Sequence, residues 1–529
     1  MTLSFPRSIR QAGRRALLTA LLVVPPLACT DLTEVPNDAL TPDNAFRTDA
    51  EILAGIASVY ARLRATMWGY YNLSEITTDE MLVPTRGSDW FDNGRWLEIH
   101  RQTWTANSGS ALDDMNGTWN DLFGGVARAN LMIDVIEKAG GTGSAAPLAE
   151  LRTLRAFYYY MLQDFFGGVP LVTTTELGQN ARATRKEIFD FIESELLDAR
   201  DDLPVTRPAG DYGRVTRGAA NAILASLYLN AGVFTKETGI NATGYNSCSG
   251  ITVSGGQDAC AAAVDAADAV IESGTYSLAT DFLNNFSINN ESSPENIFVI
   301  AHTAQPALGM SLPMRTLHYN QLSTGGGGPW NGFATLAETY NAFDANDDRR
   351  QIWLVGQQKS FNTGQNITDR TGNPLIYTPE INNIEQATEA EGVRYNKFPP
   401  LPDAPAGDAH PNDFPFFRLA EMHLIKAEAL AEQGNSGAAL AEVNFVRARA
   451  FEPDEPLSGL SGDALRAAIL NERMFEFAGE AKRRQDLVRY GRFTEARRFK
   501  ELREAHRVLF PIPQVQIQTN PLLTQNPGY

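Results

Sequence analysis

Amphipathic helical segments that follow one another in pairs are the feature that most restricts the fold of this 529-residue chain. In the clearest pair, segments 415–433 and 436–450 carry apolar residues on a 3.6-residue period, and only Gly434 and Asn435 separate them. Alanine is abundant on their faces, so the two helices can pack closely. Stacked helical hairpins of roughly 34 residues are typical of tetratricopeptide-like repeats. The sequence therefore predicts a mainly α fold of tetratricopeptide-like helical hairpins.

The same period predicts helices along much of the remaining chain. Capping-box spacing, in which a threonine caps a helix and a glutamate follows three residues later, occurs at Thr48 with Glu51 and at Thr184 with Glu187. Further predicted helices lie at 115–139, 149–166, 184–200, 216–231, 258–273, 333–343 and 463–490. A few short strands are predicted at Gly168–Thr174, Ile297–Ala301 and Arg507–Ile512.

A long middle stretch differs from the helical segments in being rich in Asn, Gly and Pro. Loops on a rigid scaffold often carry the binding surface of a protein. We therefore expect a body at 41–529. It divides into a helical scaffold at about 41–235 and 412–500, a loop-rich, ligand-facing excursion at about 236–411, and a C-terminal tail at 501–529.

The N-terminus has the pattern of an export signal that ends in a lipid-modified cysteine. The first 15 residues contain four arginines and no acidic residue, and an apolar run follows as far as Ala28. This run is too short to span the hydrocarbon core of a membrane, which is about 30 Å thick. The pattern predicts a signal peptide at 1–28, acylation of Cys29 and a lipid-anchored tether at 29–40. Pro26 stands where lipoprotein signals usually have leucine, so a plain signal peptide with an incidental cysteine is the alternative.

The net negative charge argues against whole classes of partner. The formal net charge is −18, and removal of the four N-terminal arginines makes it −22. Binding of nucleic acid requires clustered Lys and Arg, and so does attraction to anionic lipid. We therefore expect no nucleic acid partner, and contact with a membrane through the lipid anchor only.

Two cysteines remain if Cys29 carries lipid. Cys248 and Cys260 lie close together in a stretch of Gly, Ser and Asn. Outside the cytoplasm, where conditions are oxidising, such a pair predicts a disulfide, with two free thiols as the alternative. No histidine lies near either cysteine in the sequence, so we expect no metal site there.

Motifs for catalysis are missing from the sequence. It contains no HExxH zinc motif, no GxSxG nucleophile elbow and no GxxxxGK phosphate loop. Glu472, Glu476 and Glu480 would share one helix face, and paired carboxylates can hydrolyse glycosides. Interleaved arginines such as Arg473 and Arg483 would keep these carboxylates ionised, which favours a structural, ion-paired helix. We therefore expect no catalytic residue, no cofactor and no metal, with a glycoside hydrolase as the rival hypothesis.

Tryptophans in loop-like stretches are the best candidates for ligand contacts. Trp90 and Trp96 flank Asp92 in a pattern that is neither helical nor strand-like, and Trp330 lies in the sequence Gly-Gly-Pro-Trp-Asn-Gly. A flat ring beside Asp, Asn and Arg suits a sugar, because the CH face of the sugar stacks on the ring while its hydroxyls form hydrogen bonds. We predict a ligand-binding site that includes these four residues. Ordinary packing of the rings beneath long loops is the alternative.

A block near the C-terminus indicates a family. Residues 472–491, ERMFEFAGEAKRRQDLVRYG, resemble the signature helix of SusD/RagB-type nutrient-binding lipoproteins. Ala481 departs from the family pattern, in which glycine is usual at that position. Together with the lipoprotein-like start, the resemblance covers essentially the whole mature chain. Further blocks similar to the family are Arg155–Pro170, Gly213–Gly232, Arg418–Arg449, Phe510–Pro513 and Gln525–Tyr529.

The resemblance implies a non-catalytic lipoprotein of the outer membrane that faces the cell exterior. Such a protein binds a nutrient oligomer, most often an oligosaccharide and in some members a peptide, and delivers it to a SusC-like TonB-dependent transporter. The signature residues are structural in that family, so they do not locate the ligand. A helical-repeat adaptor without a small ligand is a second rival hypothesis.

Overall fold

The structure, a computed structural model, describes Phe46 and residues 48–140 and 143–529. The predicted signal peptide, the lipidation site Cys29 and the tether lie outside these residues. The described chain is mainly helical with a few short strands, which confirms the predicted fold class.

Helices precede and follow the loop-rich region in the sequence. Both predicted capping boxes are confirmed, because the hydroxyls of Thr48 and Thr184 accept hydrogen bonds from the backbone N–H groups of Glu51 and Glu187. These bonds satisfy amides that have no partner within the first helical turn. The α-helices are α1 Asp49–Glu75, α2 Arg95–Arg101, α3 Leu112–Ala139, α4 Ala145–Phe166, α5 Arg185–Ala199, α6 Arg217–Leu229, α7 Ala231–Phe234, α8 Ala259–Ile271, α9 Leu312–Thr316, α10 Ala337–Ala342, α11 Leu419–Glu432, α12 Ser436–Arg447, α13 Gly462–Phe477, α14 Arg483–Arg489 and α15 Gln514–Thr519.

The long helices pack as hairpin pairs: α1 with α3, α4 with α5, α6 with α8, and α11 with α12. Contacts of α3 with α4 and of α8 with α11 join neighbouring pairs. Helix α8 lies inside the range 236–411 that the sequence predicts as loop-rich. Because α8 packs into the scaffold, the loop-rich excursion begins after it.

Small residues set the distance between packed helices. Gly125 in α3 faces Tyr158 in α4, and a Cβ at position 125 would lie 2.2 Å from the Cζ atom of that ring. The Tyr158 hydroxyl donates to the backbone carbonyl of Val59 in α1 over 2.7 Å. Glycine at this position therefore lets three helices meet at one point.

The excursion leaves the scaffold through one strand and returns through another. The strands are β1 Asn296–Ile300, β2 Trp353–Leu354, β3 Gly356–Gln357, β4 Ile376–Tyr377, β5 Arg394–Tyr395 and β6 Phe414–Arg418. Strand β1 confirms the prediction at Ile297–Ala301 and pairs antiparallel with β6, with Asn296 opposite Arg418 and Ile300 opposite Phe414. Strand β2 pairs with β5, and β3 with β4. The β1–β6 pair thus holds the two ends of the excursion side by side.

The predicted strand at Gly168–Thr174 is wrong. Pro170 forms only an isolated bridge with Arg182. The amide of Val172 donates to the hydroxyl of Tyr159 over 2.7 Å instead of to a neighbouring strand. A hydrogen bond to a side chain thus takes the place of the strand pairing that the residue types predict.

The predicted strand at Arg507–Ile512 is also wrong. Its first residues lie in a 3₁₀ helix, Ala505–Val508. The amide of Phe510 donates to the carbonyl of Phe165 over 2.8 Å, and Pro511 has no amide to donate to a ladder. The segment therefore packs against the end of α4 without forming a regular strand.

The predicted helix 463–490 is interrupted between α13 and α14. Gly479 (φ 75°) and Ala481 (φ 60°) adopt left-handed backbone conformations, which end the helix. The value at Ala481 explains why the family pattern has glycine there. The spacing predicts that Glu480 shares a helix face with Glu472 and Glu476. Because the helix ends at Phe477, Glu480 lies instead in the connection to α14. Of the predicted helix 333–343, the structure contains only the shorter α10, Ala337–Ala342.

Cys248 and Cys260 are joined by a disulfide in the structure. Both side chains are buried, and the bridge connects the chain before α8 to the first turn of that helix. Closing a loop with a sequence separation of 12 contributes about 3 kcal/mol to stability in the chain-entropy model.

A buried network of ion pairs joins the strands β1 and β6 to helix α13. Arg418, at the end of β6, donates to Glu476 over 2.5 Å and to Glu295 over 2.7 Å. Arg349 donates to Glu472 over 2.6 Å and to Glu476 over 3.0 Å. These five side chains are at most 1 % exposed. The structural, ion-paired role predicted for the glutamates of α13 is confirmed.

Glu476 lies at the centre of this network. Burial alone would raise the pKa of its carboxyl group, but the guanidinium groups of Arg449, Arg418 and Arg349 together hold that pKa well below its usual range. A buried charge is stable only while its partners are present. The network therefore acts as one unit.

We expect Glu476→Gln to lower the free energy of unfolding by about 3–5 kcal/mol, because three buried guanidinium groups would lose a shared carboxylate. Urea denaturation at neutral pH measures this change. Asp190→Asn is the matched control, since it removes a carboxylate from an exposed ion pair with Lys186. The control should change stability by less than about 1 kcal/mol, and equal losses in the two variants would contradict the expectation.

Candidate ligand-binding site

The segment between α1 and α2 contains a turn in which several residues have positive φ. Trp90 (φ 60°), Asp92 (φ 37°) and Asn93 (φ 54°) adopt this conformation, which is strained for a bulky side chain. The indole N–H of Trp90 donates to the backbone carbonyl of Trp330 over 2.6 Å. Gly332 leaves room for the ring, because a Cβ there would lie 2.4 Å from it. Strain held in place by its surroundings is common at functional sites.

The four predicted site residues come together in one cluster. Trp96 is buried, and its indole N–H donates to the Asp92 carboxylate over 2.6 Å. The Trp90 ring lies edge-on to the Trp96 ring at 5.0 Å between centroids, and 6.4 Å from the Trp330 ring. Trp330 itself is 38 % exposed. A ligand at this surface would meet Trp330 before the buried Trp96, whereas Asp92 is itself exposed and holds the Trp96 ring through its carboxylate.

Two further residues belong to this surface and are not among the predicted ones. Trp68 in α1 is 39 % exposed, and its ring centroid lies 6.5 Å from that of Trp330. The guanidinium carbon of Arg315 lies 3.8 Å from the Trp68 ring centroid. The concentration of aromatic residues between positions 68 and 104, which includes Trp68, was a usable sequence signal for it. Arg315 had no such signal, because its position depends on the path of the excursion.

We call Trp68, Trp90 and Trp330 the aromatic platform. A pocket of about 390 Å³ adjoins it, a size within the range of small-molecule sites. Trp68 and Arg64 of α1 lie on one side of this pocket, and Arg315 with the segment 307–312 lies on the other. We call it the Arg315 pocket.

Burial sets the charge of the polar groups in the Arg315 pocket. Burial lowers the pKa of Arg315 to about 10, which leaves it charged at neutral pH. Burial and the nearby charge of Arg64 lower the pKa of His302 to about 3, so its ring is neutral. His302 Nδ1 and Arg315 Nε have no hydrogen-bond partner among the described residues. The pocket therefore offers both a cation and unsatisfied hydrogen-bonding atoms.

A polar rim lies beside the platform. The hydroxyl of Tyr319 donates to Asp89, the neighbour of Trp90, over 2.5 Å. Arg370 donates to the same carboxylate over 2.9 Å and stacks on the Tyr319 ring at 4.3 Å. Arg370 also forms an ion pair with Glu389. These groups can exchange hydrogen bonds with the hydroxyls of a ligand that rests on the platform.

The described part of the chain has neither a cluster of metal-binding side chains nor a helix suited to a membrane. Within it, no cluster of three or more His, Cys, Asp or Glu side chains has an arrangement that could hold a metal ion. None of the helices in the same part combines the length and apolar character that crossing a membrane requires.

Comparison with known families decides the class of this protein. The family model described as "SusD family" matches residues 236–501, half of the chain. The model described as "Starch-binding associating with outer membrane" matches residues 39–229. The chain belongs to the SusD family. The resemblance of the signature block is thereby confirmed, and the second description associates the family with the outer membrane.

This SusD-family chain is similar to characterised proteins over most of its length. It is 25 % identical to the starch-binding protein SusD of Bacteroides thetaiotaomicron, covering 87 % of this chain and 85 % of that protein. It is 26 % identical to the SusD-like protein P2 of Formosa agariphila, covering 96 % and 98 %. These names describe binding or family membership and no catalysis, in agreement with the prediction that the chain is not an enzyme.

Solved structures share the fold of this SusD-family protein. A SusD superfamily protein from Parabacteroides distasonis aligns with a TM-score of 0.71 at 22 % identity, over 93 % of this chain and 100 % of that one. Surface glycan-binding protein A from Bacteroides thetaiotaomicron, in complex with laminarihexaose, aligns with a TM-score of 0.69 at 21 % identity, over 90 % and 99 %. The helical scaffold and its excursion are thus the SusD fold.

We expect Trp96→Ala and Trp330→Ala to differ in their effect on stability. Trp96 is 3 % exposed, so its removal should leave a cavity and cost about 3–5 kcal/mol. Removal of the exposed Trp330 ring should cost about 1 kcal/mol. Urea denaturation of the two variants measures both values. Equal losses would contradict the assignment of Trp96 to support and of Trp330 to the ligand-facing surface.

Proposed function

We propose that this SusD-family protein is a lipoprotein on the cell surface that binds a nutrient oligosaccharide and delivers it to a SusC-like TonB-dependent transporter. The observation that carries the proposal is the aromatic platform. Two exposed tryptophan rings, Trp68 and Trp330, lie side by side next to a pocket, and the strained turn at Trp90 holds Trp330 by a hydrogen bond.

The chemistry of the platform favours a sugar. Exposed indole rings held in fixed positions by buried neighbours present flat apolar faces, which suit the CH face of a pyranose ring. The polar rim at Asp89, Tyr319 and Arg370 supplies donors and acceptors for sugar hydroxyls. A site that joins an apolar face to fixed polar groups matches the general pattern of small-ligand sites.

The relatives support the same ligand class. SusD of Bacteroides thetaiotaomicron is named a starch-binding protein, and surface glycan-binding protein A has been solved with laminarihexaose. Neither name identifies the sugar for this chain. A peptide is the alternative ligand, and a helical-repeat adaptor without a small ligand is the alternative role.

The export signal and Cys29 support the proposed location. An acyl chain contributes about 0.8 kcal/mol for each buried CH₂, so two or three chains on Cys29 would hold the protein stably on a membrane. The family is described as associated with the outer membrane. Orientation toward the exterior and the SusC-like partner are part of the proposal and follow from the family resemblance.

We expect Trp68→Ala and Trp330→Ala each to weaken oligosaccharide binding by about 1–3 kcal/mol with little change in the unfolding midpoint. Calorimetric titration against laminarihexaose, maltohexaose, other plant and microbial oligosaccharides and short peptides measures the binding. Phe445→Ala is the matched control, because Phe445 is an exposed aromatic residue on α12, which forms no part of the platform.

The outcomes of this titration separate the rival functions. Saturable heat without products supports a binding protein, whereas release of shortened sugars would favour a glycoside hydrolase. Heat with peptides alone would favour the peptide alternative. Binding that is unchanged in both tryptophan variants would show that the platform is not the site. An absence of binding, with altered stability only, would favour the adaptor.

We expect Cys29→Ser to release the exported protein from the outer-membrane fraction into the soluble fraction, because no acyl chain can be attached. Cell fractionation and incorporation of labelled fatty acid measure this, with the neighbouring substitution Thr30→Ala as control. Cross-linking of the wild-type protein should capture a large barrel protein. Retention of Cys29→Ser in the membrane fraction would contradict the lipid anchor.

A further inference from the structure

The charges that line the Arg315 pocket are opposite in sign to the charge of the protein. Arg64 and Arg315 line the pocket, and no Asp or Glu is among its lining residues. The chain as a whole has a formal net charge of −18. A pocket that contains only cationic charge in such a chain attracts anions locally.

Neither of the two arginines has a carboxylate partner in the part of the chain that the structure describes, a feature that they share with the buried Arg86, Arg185 and Arg394. Arg64 donates to the backbone carbonyl of Ala301 over 3.3 Å, and Arg315 donates to the side chains of Asn72 (3.1 Å) and Ser311 (3.2 Å). Neither forms an ion pair with a carboxylate among the described residues. In contrast, Arg418 in the buried network has three carboxylate partners within 2.8 Å.

Arg315 is the more unusual of the two. Its side chain is buried, it remains charged at neutral pH, and its Nε atom has no hydrogen-bond partner among the described residues. A buried charge without a counter-ion is costly, and a carboxylate or sulfate could form strong charge-assisted hydrogen bonds with it. An anion bound in the pocket would therefore supply Arg315 with a charged partner.

The carboxylates in the surroundings are engaged elsewhere. Asn72 lies between Arg315 and Asp114, and Asp114 forms its own ion pair with Arg95 over 2.6 Å. Asp413 accepts a hydrogen bond from the backbone N–H of His302 over 2.7 Å. Burial raises the pKa of Asp413 to about 6. Asp408 accepts a hydrogen bond from the backbone N–H of Ala307, which lines the pocket, over 3.0 Å. None of the three acids lines the pocket or forms an ion pair with its two arginines.

We propose that the ligand is an acidic oligosaccharide whose carboxylate or sulfate group enters the Arg315 pocket while an adjoining sugar ring stacks on the aromatic platform. The inference rests on the proposed function and specifies its substrate class. Trp68 is common to both parts, since its ring belongs to the platform and also lines the pocket beneath Arg315. This continuity favours a sugar over a peptide, because one chain of rings can occupy the platform and the pocket together.

The experiment compares each acidic oligosaccharide with the same chain after its charge is removed. Calorimetric titration of the whole mature protein uses oligogalacturonate against its methyl ester, and a sulfated galactan oligosaccharide against its desulfated form. Laminarihexaose serves as a neutral reference. We expect at least one acidic form to bind about tenfold or more tightly than its neutralised partner, because each charge-assisted hydrogen bond adds roughly that factor. The pair that responds distinguishes a carboxylate from a sulfate.

A matched pair of arginine variants locates the effect. Arg64→Gln should remove most of the preference for the acidic form. Arg128→Gln should leave the preference unchanged, because Arg128 is an exposed arginine that also donates to a single backbone carbonyl, that of Ser58 (2.8 Å). A preference that both variants retain would overturn the assignment to this pocket.

The remaining outcomes separate this inference from the proposed function. If sugars bind and each acidic form binds no better than its neutralised partner, the acidic ligand is excluded while the proposed function stands. If no sugar in the panel binds, both fail. If only peptides with a free carboxylate bind, and Arg64→Gln abolishes that binding, the pocket receives an anion but the sugar is overturned.

Discussion

The buried ion-pair network around Glu476 is the interaction on which the rest of the structure depends. Arg418 at the end of β6, Glu295 just before β1, and Glu476 in α13 belong to segments far apart in the sequence. Their mutual neutralisation inside the protein fixes the strand pair against the scaffold. Because a buried charge without a partner is strongly destabilising, this network tolerates only one arrangement of these segments. Loss of any one partner would therefore destabilise the whole arrangement.

The surface that we propose to face the ligand depends on that arrangement for its geometry. Trp68 comes from α1, Trp90 from the turn that follows it, and Trp330 and Arg315 from the excursion. The hydrogen bond from the Trp90 indole to the Trp330 carbonyl ties the turn to the excursion directly. Each ring is held by contacts that exist only when the excursion is correctly anchored. Binding geometry and folding stability thus share one cause.

Sequence reasoning was strongest where structure is local. The capping box at Thr48 and the pairing of helices depend on neighbouring residues, and both were predicted. The sequence also singled out Trp90 and Trp330, because large rings in glycine- and asparagine-rich stretches are unusual. The structure brings the two together, and their role in binding stays a prediction. Arg315 was not predicted, since its contact with α1 exists only after the excursion has folded back. The break after α13 was not predicted, because Ala481 adopts a left-handed backbone conformation that is rare for alanine.

The pairing of β1 with β6 has a consequence for how such a protein changes over time. Since the two strands keep the ends of the excursion adjacent, the chain between them closes a loop whose entropic cost grows only slowly with length, by about 0.6 kcal/mol for each doubling. Insertions or deletions in exposed parts of that loop therefore add little to the cost of closing it, whereas the stretch that carries Arg349 has to be retained, because Arg349 belongs to the buried network. Variation of the proposed binding surface is thereby partly separated from the architecture that presents it.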